Sequence, residues 1–345
     1  MIGISKLLCG TVSPAAALRY GRHSAASPSH LLQFTADKKP IVVWNSTQAC
    51  NLHCVHCYYA ARSTRDPQEL STAEARKMID ELAAFRVPVL LFSGGEPLLR
   101  DDLCELGRYA KEHGLRTVIS TNGTLIDRAM AERIREAGFS YVGISLDGIG
   151  ATNDRFRGME GAFDQALQGM RNCAEVGVRM GLRLTLNRHN VADLDAIFSL
   201  IEQKQIPRAC FYHLVYAGRG KGIRSDDLSL AETRAAVDLI FDRTEDLHQR
   251  GQKIEILTVD NHADGPYLLR RVEERQPERA AEVLQLLQWN GGNASGIGIA
   301  SIDHLGNVHA DQFWQHYSFG NIRRRPFGDI WTDTSDPLMA GLKDR

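Results

Sequence analysis

Three cysteines, Cys50, Cys54 and Cys57, fall within eight residues of the stretch WNSTQACNLHCVHCYYA, residues 44 to 60. His53 and His56 lie between them. Thiolates and imidazoles so concentrated bind metal, exchange electrons or form disulfides. A structural zinc site needs four closed ligands, usually as two separated pairs, and a fourth ligand from His53 or His56 would strain the tetrahedron. A C-x-x-C redox pair would leave Cys50 idle. Three thiolates in one loop can also hold three irons of a cubane, leaving the fourth iron open to another ligand.

The rest of the composition bears on that choice. The N-terminal MIGISKLLCG has one lysine, a short apolar run and Leu8 before Cys9, so it reads as mature protein rather than an export signal. A cytoplasmic location follows, where disulfides are rare. Cys9, Cys104, Cys173 and Cys210 are scattered and read as small buried hydrophobes. The net charge of −1 supplies no field for nucleic acid or an anionic membrane. No apolar run approaches the roughly 18 residues of a membrane span.

The elements that must position the cysteines show as a rhythm. Residues 1 to 39 look irregular. Then apolar strands such as PIVVWNST, VPVLLFS, RTVIST, YVGISL, RMGLRLTL and ACFYHLVY alternate with amphipathic helices. Ser71 and Glu74 form a capping box before the first helix, and glycines such as Gly114 close others. Six strand–helix units over residues 40 to 250 predict an α/β fold, an open sheet or partial barrel with ligands at the strands' C-terminal ends. From residue 251 the rhythm changes. KIEILTV is strand-like, residues 266 to 288 look helical, and a hairpin turns at HLGN, which together predict a smaller module over 251 to 345.

Every chemically loaded motif directly follows a strand. FSGGEPLL offers Gly94 and Gly95 for close backbone approach to a ligand, and Glu96, before Pro97, for an ammonium group. ISTNGTL places Ser120, Thr121 and Asn122 after the third strand. ISLDG, with DRFRG downstream, places Ser145, Asp147 and Arg157 after the fourth. Asp147 reads as a residue that closes its turn.

With these motifs the sequence resembles the radical S-adenosylmethionine (SAM) superfamily, whose signature C-x3-C-x-Φ-C follows the first barrel strand. The resemblance implies a partial (β/α)6 barrel and a [4Fe–4S] cluster on Cys50, Cys54 and Cys57. It implies SAM on the open iron, its reductive cleavage to a 5′-deoxyadenosyl radical, and hydrogen abstraction from a substrate. The GGE loop would bind the methionine amino group, Asn122 and its neighbours the SAM pocket, and Ser145 and Arg157 the ribose and carboxylate. His56 would lie beside the adenine, and Tyr58 and Tyr59 would begin a loop beside the cluster.

The flanking segments, among them YHLVYAGRGK and GNVHADQFWQHYSFGNIRRRPFGDIW, resemble the group that includes the heme d1 protein NirJ and the 12,18-didecarboxysiroheme deacetylase. That implies an iron tetrapyrrole substrate derived from siroheme, loss of its acetates or propionates, and a reductant such as ferredoxin or flavodoxin. Arg219, Lys221, Arg323, Arg324 and Arg325 are candidates for its carboxylates. His213, His309 and His316 are candidate axial ligands to its iron, and Phe313, Trp314 and Tyr317 could stack on the ring. Members of the group carry a C-terminal SPASM/twitch-like module with an auxiliary [4Fe–4S] cluster. No cysteine follows Cys210 here, and the expectation is that the sequence stops short of that segment. Two rival readings keep the same barrel: a peptide-modifying maturase, and a non-catalytic iron–sulfur or heme-handling protein. The GGEP loop weighs against the second, since a cluster carrier has no use for a methionine-binding loop.

Overall fold

The computed structural model describes residues 1–11 and 39–344. Most of the stretch expected to be irregular therefore lies outside the described residues, but its start is not irregular. β1 (Ile2–Gly3) pairs antiparallel with Thr258 and Leu257, and α1 (Ile4–Cys9) follows with Ile4, Leu7 and Leu8 buried. A two-residue strand and a six-residue helix are too short to show periodicity; both exist because the sheet supplies their partners.

The six expected strands are present: β2 (Ile41–Asn45), β3 (Val89–Ser93), β4 (Arg116–Thr121), β5 (Tyr141–Ser145), β6 (Met180–Thr185) and β7 (Arg208–Tyr212). Each pairs in parallel with the next. Helices α2 (Thr72–Ala84), α3 (Leu103–Glu112), α4 (Arg128–Ala137), α5 (Ala151–Arg157), α6 (Ala162–Glu175), α7 (Leu194–Gln203) and α8 (Leu230–Gln249) connect them. The capping box forms as the sequence indicates: Ser71 accepts from the Glu74 amide, and Glu74 accepts from the Ser71 amide at 2.9 Å.

The strand-like KIEILTV becomes β8 (Glu255–Val259), which continues the parallel sheet beside β7. Beyond it α9 (Asp264–Arg275) and α10 (Ala280–Asn290) divide the expected helical stretch, with Pro277 opening the 3₁₀ turn between them. β9 (Ile299–Ile302) returns to the opposite edge and pairs in parallel with β2. The predicted hairpin then runs from β9 to β10 (Asn307–His309), and β11 (Gly320–Asn321) closes an eleven-stranded sheet among the described residues. α11 (Phe327–Thr332) and α12 (Pro337–Lys343) end the chain. The fold is the expected α/β partial barrel with a C-terminal module.

The core sits between sheet and helices. Trp44 and Phe92 on neighbouring strands are fully buried, with ring centroids 5.5 Å apart. Burial of each such ring contributes about 2–3 kcal/mol. No helix among the described residues is long and apolar enough to cross a membrane.

Candidate active site

The C-terminal ends of the parallel strands open on one cavity, which together with the open solvent at its mouth takes in about 1130 Å³. Cys50, Cys54 and Cys57 line it, and so do Gly94, Gly95, Ser120, Thr121, Asn122, Ser145 and Arg157. Motifs up to about 100 residues apart in sequence therefore meet because each leaves the same end of its strand.

The cysteine loop is held by backbone. The Ser46 amide donates to Ser93 O at 2.9 Å, the Gly95 amide to Thr47 O at 2.7 Å, and the Glu96 amide to Ala49 O at 2.7 Å. On the other side the His53 and Val55 amides donate to the carbonyls of Arg157 and Phe156. Gly94 and Gly95, which the sequence offers for close approach to a ligand, line the cavity and also pack against the cysteine loop itself: a Cβ on Gly95 would lie 2.0 Å from Ala49 O, and one on Gly94 2.5 Å from Thr47 O. Gly95→Ala should therefore push the two loops apart. We expect a loss of about 1–3 kcal/mol in urea unfolding of the apo-protein, with reduced iron uptake on reconstitution.

Glu96 is fully buried and, like Pro97, does not line the cavity. Its carboxylate accepts from Thr121 Oγ1 at 2.7 Å, the Asn122 amide at 2.8 Å and the Leu98 amide at 3.1 Å. It ties the β3 loop to the end of β4. Burial raises its carboxyl to about 7 against these hydrogen bonds.

Arg157 and Asp147 form a buried ion pair, and the Arg157 guanidinium also donates to Cys54 Sγ at 3.6 Å. Asp147, read as a turn closer, is 0% exposed, and one of its oxygens takes the Thr185 amide at 2.6 Å. His56 lies 3.4 Å from the same carboxylate and stacks on Phe156 with centroids 4.5 Å apart. Burial pushes its imidazole down to about 4, so the ring is neutral near pH 7. Tyr58 donates to Asn45 Oδ1 at 3.1 Å, and Tyr59 meets His304 Nδ1 at 2.5 Å, fastening the loop to the β9–β10 hairpin.

The substrate candidates separate. His213 and Arg219 line the cavity; His309, His316 and Arg323 do not. His213 Nε2 lies 2.8 Å from Asp264 Oδ2. Arg219 donates to Cys54 O at 2.8 Å and Ala61 O at 2.7 Å, bracing the cysteine loop. His309 is buried against Tyr317 O at 2.6 Å, and His316 is exposed against Trp314. Arg323 clamps Glu74, Leu305 O and Gln68 O. Lys221, Arg324 and Arg325 are exposed, Arg325 pairing with Asp333 at 2.9 Å. Of the three aromatics Phe313 lines the cavity, edge-on to Tyr58 at 5.3 Å, whereas the Tyr317 hydroxyl donates to Asp336 at 2.6 Å. Reasoning from sequence missed Arg183, Tyr212 and Asp260, which also line the cavity. One signal was available: Arg183 is a charge inside the apolar strand MGLRLT.

The radical SAM superfamily model matches residues 44–201. With this site and the relatives below, the chain belongs to the radical SAM superfamily. A Fe-coproporphyrin III synthase of Methanosarcina barkeri is 63% identical over 345 residues, spanning 100% of this chain and 86% of that protein. A pre-heme d1 synthase of Dinoroseobacter shibae is 44% identical over 311 residues, spanning 89% of this chain and 76% of that protein. Among solved structures, Streptococcus suis SuiB bound to S-adenosylmethionine superposes with a TM-score of 0.70 at 18% identity, covering 89% of this chain and 68% of that one. That likeness is one of fold.

The family implies a [4Fe–4S] cluster and SAM, and the three sulfurs suit thiolate ligands. Each accepts a hydrogen bond: Cys50 from the Leu52 amide at 3.3 Å, Cys57 from the Ala61 amide at 3.5 Å, and Cys54 from Arg157. Such bonds stabilise thiolates and tune cluster potential. Without iron, burial pushes the Cys50 thiol up to about 12 and raises Cys54 as well, so iron binding would release protons here.

Proposed function

We propose that this chain is a radical SAM enzyme of heme biosynthesis that removes the two acetate side chains of 12,18-didecarboxysiroheme, leaving iron coproporphyrin. The observation that carries the reading is the cavity in which the cysteine triplet shares walls with Arg157, Arg183, His213 and Phe313. Cys50, Cys54 and Cys57 would hold the cluster, and Ser145 and Arg157 would hold the SAM ribose and carboxylate. A cluster held there would supply the reducing electron for SAM cleavage. Neutral His56 and Phe156 would wall the nucleoside side without adding charge. His213, oriented by Asp264, is placed to meet an iron or a ring substituent.

The Methanosarcina relative's name is that of the product this deacetylation gives, which supports acetates over propionates. A reduced ferredoxin or flavodoxin would supply the electron. The test is anaerobic reconstitution with iron and sulfide, followed by SAM, dithionite and 12,18-didecarboxysiroheme. We expect iron coproporphyrin by mass spectrometry, with one 5′-deoxyadenosine formed per acetate lost. No 5′-deoxyadenosine would refute SAM cleavage; 5′-deoxyadenosine with an unchanged tetrapyrrole would refute only the substrate.

A further inference from the structure

The cavity contains a cation that none of its acids pairs directly. Arg183, in the middle of β6, donates from Nη1 to the Ser120 hydroxyl, and its guanidinium carbon lies 5.5 Å from the centre of the Tyr212 ring. Its Nε is shut off from solvent and has no hydrogen-bond partner. Among the described residues no carboxylate stands within ion-pair distance of it. Asp260 lines the same cavity and senses the Arg183 charge, but from beyond that distance. Neighbouring arginines are treated differently: Arg157 pairs with Asp147, and Arg208 lies 3.6 Å from Glu255.

The barrel makes room for this side chain. A Cβ on Gly143 of β5 would lie 2.9 Å from both Cδ and Nε of Arg183. Glycine inside a strand weakens it and marks a close approach, so this one is explained by the arginine lying across it. An enclosed cation with only neutral partners is unfavourable in the free protein and favourable once an anion binds. Guanidinium matches carboxylate geometry with two parallel hydrogen bonds. SAM brings its own carboxylate, but Arg157, beside Cys54, is the candidate for that group.

We infer that Arg183 binds a carboxylate of the substrate, on the acidic side chain that enters the barrel between β4 and β7. The inference rests on the tetrapyrrole reading above. It makes Arg183 a specificity residue that selects tetrapyrroles still bearing an acetate at the reacting position.

The test compares the reconstituted wild-type protein with Arg183→Met and Arg183→Lys, using absorbance titrations with 12,18-didecarboxysiroheme and with iron coproporphyrin, which lacks those acetates. Wild type should prefer the acetate-bearing ligand; Arg183→Met should bind it about 10- to 100-fold more weakly and lose the preference, with Arg183→Lys in between. Because the cation is unpaired in the free protein, apo Arg183→Met should unfold at the same urea concentration or higher, where a merely structural arginine would lower it. SAM affinity should fall much less than affinity for the acetate-bearing tetrapyrrole, because Arg183 reaches the SAM pocket only through its hydrogen bond to Ser120. Unchanged discrimination in Arg183→Met, or a matching loss of SAM affinity, overturns the assignment to Arg183. Failure of wild type to bind either tetrapyrrole overturns the substrate reading itself.

Discussion

Alanine at Cys50, Cys54 and Cys57 together should leave a folded protein that takes up no iron–sulfur cluster and forms no 5′-deoxyadenosine. Loss of an outer partner of a metal ligand already costs about 10- to 100-fold, so loss of all three ligands should lower SAM cleavage by well over ~100-fold. The fold should survive because the loop is anchored by other groups. Gly95 and Glu96 hold Thr47 and Ala49, Arg219 holds Cys54 O and Ala61 O, and Tyr59 holds His304. The check is iron and sulfide content with circular dichroism on the same sample. An intact cluster absorbance in the triple variant would remove the assignment of these three thiols.

The second large effect concerns Asp147. Its removal would leave the Arg157 guanidinium buried without a counter-charge and would free the Thr185 amide on β6. Breaking a buried ion pair from one side costs about 3–5 kcal/mol, so Asp147→Ala should show that loss in urea unfolding of the apo-protein. Adding Arg157→Met should restore much of it, because the orphaned charge is then gone. A double variant no more stable than Asp147→Ala alone would show that the carboxylate acts through the β5–β6 backbone contacts instead. Either variant should also weaken SAM binding, since each disturbs or removes the Arg157 guanidinium that pairs with Asp147 and donates to Cys54.

Much of this was legible in the sequence because the signals are local. Apolar strands alternating with amphipathic helices, a capping box at Ser71 and a loop after each strand depend on neighbouring residues, so a parallel sheet covered by helices and the end carrying the site follow directly, while the choice of a partial barrel over an open sheet came from the family resemblance. The cysteine spacing weighs against zinc and a redox pair, and the resemblance to the radical SAM superfamily then implies its chemistry. β1, α1 and the pairing of β8 and β9 into the same sheet were not legible. They are decided by partners as far as 258 residues away in sequence, for which short elements carry no periodic signal.

The tertiary structure also decided what individual polar residues do. Glu96 reads as a ligand for an ammonium group, but packing turns it inward onto Thr121 and Asn122. Arg323 and His309 read as substrate contacts, but fold closure supplies Glu74 to one and Tyr317 O to the other. Arg183 reads as an odd charge in a strand; only the assembled barrel shows a cation enclosed without a direct acidic partner. The sequence by itself determined the six central strands and the loop that carries the thiolates, because these follow from periodicity and spacing. The structure alone decided which charges are already neutralised and which still await an anion, because ion pairs and desolvation depend on distances that chain order does not encode.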